Sequence, residues 1–260
     1  MGFVKTAEEI TAMQGAMASP RFVNAEMLSV VFESDGDYLR AILPPPLELS
    51  DASVRAMVGR WQSNCVGDFE GGALYVPARH EGVEGEYVLA MYMTTDAAIL
   101  YGRELFGEPK KQCSTRLHRG RTAMVGSVDR HGVRLIELVA EFDRDLEPST
   151  TTGINFNIKS TPSCSGVGLE DDAILTLAQF DVDLTAHRSG TGTVRLETTP
   201  HDPLGDIPIG ATREAIYQEG DLVPSTRRVA TIPAATYLPY AYGRMDDWSL
   251  LNTDNVPAPV

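Results

Sequence analysis

Three features of the sequence predict a chain built mainly of β-strands with a few short helices. Apolar runs of strand length recur along most of the chain and are cut by Gly, Pro and Asp. Arg130-His131-Gly132 separates two such runs as a hairpin turn does. Helical periodicity is confined to short segments, the clearest near the N-terminus. A β-rich chain of 260 residues can close around one core, so 1–260 is read as a single domain.

Taken in order, residues of about 6–18 form a short amphipathic helix, with Ile10, Met13 and Met17 on one side. Asp35 to Leu43 adds a helical turn or two before Pro44-Pro45-Pro46. Tyr87-Val88-Leu89-Ala90-Met91-Tyr92-Met93 reads as a buried strand, and Ala97 to Tyr101 is a second apolar stretch. Pro109 fixes the backbone and keeps Glu108 out of helical geometry, so Lys110 and Lys111 start from a defined turn. Further strands are expected over Ala123 to Val128, Val133 to Phe142, Gly153 to Ile158, Ala178 to Ala186 and Thr191 to Leu196. The acidic, Pro-rich tail of about 246–260 reads as an arm on the surface or on a neighbour.

Composition excludes several function classes. With 43% hydrophobic and 22% charged residues the chain is globular, and no apolar run approaches the roughly 18 residues of a membrane helix. A net charge of −14 argues against nucleic acid as a partner, because phosphate contacts need clustered Lys and Arg. Met1 to Thr6 fits a myristoylation pattern only superficially and does not read as a signal peptide. Cys65, Cys113 and Cys164 are odd in number and lack metal spacing, which suits a reducing cytoplasm. His80, His118, His131, His187 and His201 show no ligand spacing, so no metal is expected. No Gly-rich phosphate loop follows a strand, and there is no internal repeat.

The chemistry of the chain is carried by the pair Lys110-Lys111. A lysine attacks carbonyls only as the neutral amine, and an ordinary side chain, with a pKa of about 10.4, is almost wholly protonated at neutral pH. Burial in an apolar pocket or a second cation beside it disfavours the ammonium. Most lysine pairs are solvated surface charge, but this one follows two apolar stretches and a rigid proline.

Gly102-Arg103-Glu104-Leu105, followed by Pro109-Lys110-Lys111, resembles the signature of the acetoacetate decarboxylase family. The resemblance extends upstream through Val30-Val31-Phe32-Glu33, Leu43-Pro44-Pro45-Pro46-Leu47-Glu48 and Gly82-Val83-Glu84-Gly85-Glu86-Tyr87. It thins after about residue 145, although Ile207-Pro208 and Val229 to Pro233 fall where the family places strands. The resemblance implies an α+β fold, mainly antiparallel β, with the sheet rolled into a cone or barrel around the lysine, a homo-oligomer, and a small keto acid as substrate. It implies Lys110 as the Schiff-base nucleophile and Lys111 as its neighbour, with no cofactor; acetoacetate decarboxylase is itself the standing example of a lysine activated in this way.

An acid near the imine is also expected, and Glu70, at the head of Glu70-Gly71-Gly72-Ala73-Leu74-Tyr75-Val76-Pro77, matches the family pattern with one extra residue. A solvated turn carboxylate is the competing reading. Strand alternation from Lys110 places Gln112 and Arg116 on its face, where an arginine can bind a carboxylate; an ordinary solvated strand face is the alternative. Lys110, Lys111, Arg103 and Arg116 together are expected to make the pocket locally basic. Tyr242, in Tyr237-Leu238-Pro239-Tyr240-Ala241-Tyr242, is a candidate acid or orienting phenol, set against aromatic packing at a subunit contact. Cys113 is read as a packed thiol.

The chain departs from the family pattern twice. Val54 to Trp61 contains no acid where the family has a second glutamate, and Ala25 stands near the expected arginine, with Arg21 several residues too early. Three readings follow. They are a lysine-dependent decarboxylase of a β-keto acid, an aldolase, dehydratase or cyclase using the same imine, and a ligand-binding relative without catalysis.

Overall fold

The computed structural model describes residues 2–249. The strands are β1 (Phe22–Glu33), β2 (Glu48–Leu49), β3 (Ser53–Ser63), β4 (Gly67–His80), β5 (Val83–Met93), β6 (Lys110–Gln112) and β7 (Ser114–Arg119). They continue with β8 (Ala123–Arg130), β9 (Val133–Leu146), β10 (Thr150–Lys159), β11 (Ala173–Leu196), β12 (Thr198–Thr199), β13 (Asp202–Pro203) and β14 (Thr212–Ile232). The helices are α1 (Ala7–Ala18), α2 (Gly36–Ile42), α3 (Asp96–Tyr101) and α4 (Ala234–Tyr242).

Local sequence sets several of these ends. Thr6 and Glu9 form a reciprocal capping box that starts α1, and Asp35 caps α2 through the amides of Asp37 and Tyr38. The hairpin between β8 and β9 turns at His131 and Gly132, both at positive φ (51° and 81°), as a tight two-residue turn requires.

One sheet runs β10-β5-β4-β3-β1-β14-β11, and β10 also pairs with β11, so these seven strands close into a barrel. The pairs are antiparallel except β10 with β5 and β5 with β6. Beyond β11 the sheet continues through β9, β8 and β7 as a wing.

Both faces of the barrel wall are buried, which explains why β3 and β4 are so nearly continuously apolar. Leu28, Val30, Val54, Ala56, Val58, Leu74 and Val76 face outward, into a core shared with Met124, Val128, Ile136 and Leu138 of the wing. Met57, Trp61, Phe69, Ala73, Tyr75, Met91 and Met93 form a second cluster on the inner face.

Two expectations need correction. The two runs expected over 178–186 and 191–196 are parts of one 24-residue strand, β11, which carries its polar middle through register shifts at Leu184/Ala186 and Ser189/Gly190. Ile207-Pro208 is not a strand; it follows a 3₁₀ turn at Leu204–Asp206. The tyrosine segment is helix α4, with Tyr237 fully buried in the outer core. No residue of α1 is buried, and Ile10, Met13 and Met17 remain exposed. Of the expected C-terminal arm, residues 250–260 lie outside the described residues. No helix among the described residues is long and apolar enough to cross a membrane.

Candidate active site

Lys110 opens β6, beside Met91 of β5, and its side chain points into the barrel. The approach to it is tightly built. A π-helical turn, Gly102–Phe106, ends at Gly107, whose φ of +78° turns the chain back. The Glu108 amide then donates to Gly102 O at 3.1 Å, and Arg103 Nη1 holds the Lys110 carbonyl at 3.1 Å. The result is a fixed seat.

In that seat Lys110 is 7% exposed, and its Nζ lies 2.8 Å from Glu108 Oε2 and 3.2 Å from the Ala98 carbonyl. Its third neighbour is aromatic, the Phe69 ring, with its centroid 5.8 Å away. Gly102 makes the arrangement possible. A Cβ there would stand 2.5 Å from Lys110 Nζ and Cδ, and closer still to Glu108 Oε2.

The cavity above Lys110 measures about 280 Å³. Much of its wall is methionine and aromatic: Met27, Met57, Met91, Met93, Trp61 and Phe69. Its second charged pair is Arg55 with Glu86, joined through Arg55 Nε at 2.9 Å and through Nη2. Burial opposes the Arg55 charge, but Glu86 more than offsets this and holds the guanidinium above its usual range. Arg55 also stacks on Tyr75 at 4.0 Å, and its Nη1 keeps only a long 3.4 Å contact to Ser29 Oγ. Burial raises the Tyr75 and Tyr101 phenols, so both are proton donors and not bases at neutral pH.

Lys111 points the other way, as successive strand residues must. Its Nζ meets Asp202 Oδ1 and Asp246 Oδ1, each at 2.9 Å, and the His201 carbonyl at 2.7 Å. Arg130 bonds the same two aspartates, and Tyr92 Oη donates to Asp202 at 3.1 Å. The Lys111 charge is therefore matched locally, on the side of the strand away from the cavity.

The other sequence candidates fall outside the cavity. Glu70 lies between the inward residues Phe69 and Gly71, so it faces outward and accepts from Thr115 Oγ1 at 2.5 Å. Gln112 and Arg116 are exposed, because the strand pairing breaks at Cys113 and β7 continues along the wing. Tyr242 is exposed and donates to Gly166 O at 2.7 Å. Arg103 is exposed too, so the expected basic pocket is instead balanced, with Arg55 and Lys110 against Glu86 and Glu108. Cys113 is half-buried, and burial pushes its thiol up to about 12.

Glu108, Arg55 and Glu86 were missed. Alternation could have found Glu108, since a residue two before Lys110 in extended chain shares its face. Arg55 and Glu86 lie 31 residues apart and meet only through the fold.

The sequence profile described as acetoacetate decarboxylase (ADC) matches residues 9–231. An acetoacetate decarboxylase of Burkholderia cenocepacia is 31% identical over 224 residues, covering 83% of this chain and 90% of the relative. The crystal structure of an acetoacetate decarboxylase from Legionella pneumophila superposes with a TM-score of 0.76 at 25% identity, covering 82% of this chain and 88% of that one. The enduracididine biosynthesis enzyme MppR, complexed with the condensation product of pyruvate and imidazole 4-carboxaldehyde, shares the fold at a TM-score of 0.70 and 18% identity. It covers 81% of this chain and 88% of its own.

Proposed function

The chain belongs to the acetoacetate decarboxylase family, and from that premise we propose that it is a Schiff-base lyase in which Lys110 decarboxylates a β-keto acid. The observation that carries this reading is a buried Lys110 Nζ at a largely apolar cavity, with the Glu108 carboxylate 2.8 Å away. Proton transfer from Nζ to Glu108 leaves a neutral amine whose lone pair adds to the substrate carbonyl carbon. The carbinolamine then takes the proton back from Glu108 and expels water, leaving a protonated imine. When carbon dioxide departs, the electrons of the broken C–C bond move into that imine and give an enamine. A solvent proton relayed by Glu108 goes to carbon, and hydrolysis frees the ketone and Lys110.

Borohydride reduction during turnover of a β-keto acid is expected to add the mass of the reduced imine at Lys110. Lys110→Ala should show neither the adduct nor carbon dioxide release. Glu108→Gln should lower kcat by about 10²–10⁴-fold, the usual share of general acid–base catalysis. Unchanged turnover in Lys110→Ala removes the reading.

A second reading keeps the imine but not the carboxylate. Glu86 already balances Arg55, so the cavity holds no surplus cation for an acid, and an aldol addition, dehydration or cleavage of a neutral carbonyl compound suits it. Condensation products without carbon dioxide release would select this reading. No adduct with either substrate class would leave ligand binding without catalysis.

A further inference from the structure

We infer that the carbonyl substrate carries an extended apolar group, and that the cavity is built to hold it. This rests on Lys110 being the imine-forming residue. A cavity of about 280 Å³ is close to the lower end of the roughly 300–1,000 Å³ typical for drug-sized ligands. A four-carbon keto acid leaves much of such a space unfilled.

The wall is suited to an alkyl chain or ring. Four of the nine methionines in the chain, Met27, Met57, Met91 and Met93, line this one cavity, where their unbranched thioethers adapt to an apolar guest. Trp61 stacks on Phe69 with ring centroids 5.3 Å apart, which gives the wall a flat aromatic section next to Lys110 Nζ.

Two glycines fit the backbone to this lining. Gly59 and Gly71 are paired across β3 and β4, between the Met57/Ala73 and Trp61/Phe69 pairs. A Cβ on Gly59 would stand 2.9 Å from the Trp61 ring, and one on Gly71 would stand 2.5 Å from Met93 Sδ. Their absence lets both side chains lie flat against the strands. The barrel wall is thus thinned where the large apolar side chains fold over it.

The test is a chain-length series, from four-carbon acetoacetate to eight-carbon 3-oxooctanoate, with carbon dioxide release and borohydride adducts at Lys110 as readouts. Each methylene that reaches the wall should raise kcat/KM about three- to fourfold, or on the order of a hundredfold across the series. Met57→Gln, which is nearly isosteric but polar, should shrink that ratio. Adduct formation with acetoacetate and a flat or falling profile along the series would overturn this inference and leave the imine reading intact. No adduct with any member would remove both.

Discussion

Gly102 shows how one missing side chain can set up a reactive group. Lys110 Nζ and the Glu108 carboxylate occupy the space a Cβ at position 102 would need, with Nζ only 2.5 Å from that point. Gly102→Ala must therefore displace the amine or the acid, while α3 and the π-helical turn keep their backbone bonds. A near-attack geometry is sensitive to shifts of about 1 Å, which can cost on the order of 10²-fold in rate. The expected outcome is a loss of that size in kcat with a change in melting temperature of only a few degrees, measured by steady-state kinetics and thermal unfolding. A fully active Gly102→Ala would show that the Lys110–Glu108 contact is not required. Part of this site is legible in the sequence. Pro109 announces a fixed seat for Lys110, but Glu108 is passed over although alternation puts it on the face of Lys110, and Glu70 is misread because its neighbours Phe69 and Gly71, not Glu70 itself, turn inward.

At the scale of elements, β6 is only three residues long and still has to hold Lys110 steady. It is pinned from behind by Lys111, which joins Asp202 ahead of the long β14 and Asp246 beyond α4. Burial alone would raise the Asp246 carboxyl, but Arg130 and Lys111 draw it down to about 2, from an ordinary 3.8. A depressed carboxylate contributes stability that is fully present above its unfolded pKa and fades as pH falls through the folded one. The Asp246 contribution, on the order of 2 kcal/mol, is therefore present above about pH 4 and lost between about pH 4 and 2. Denaturant titrations across that range should show a steeper acid loss in the native chain than in Asp246→Asn. Identical slopes would show that the pairing does not contribute. This clasp was not legible beforehand, because its members are scattered from position 111 to position 246 and the barrel alone assembles them.

For the whole molecule, the closed barrel with its wing gives each central strand two different duties. Along β3, Val54, Ala56 and Val58 face the wing and Arg55, Met57 and Trp61 face the cavity, so stability and recognition alternate residue by residue. The sequence predicts this strand-dominated architecture, but not the wing, because a continuous apolar run does not say what covers each face. Val58 and Trp61 offer a direct test. Val58 is fully buried, and its methyls lie over Gly126 and Gly72, so Val58→Ala removes packing with little room for collapse. It should cost roughly 1–3 kcal/mol, a fall in melting temperature of several degrees, because lost transfer energy and a residual cavity add. Its KM for the preferred carbonyl substrate should stay within about twofold, a shift well under 1 kcal/mol in binding. Trp61→Ala, three residues along and on the opposite face, should raise KM about tenfold or more by removing a large aromatic contact. Thermal scans paired with kinetics separate the two effects, and a Val58→Ala enzyme with a KM as poor as that of Trp61→Ala would show that the two faces are not independent.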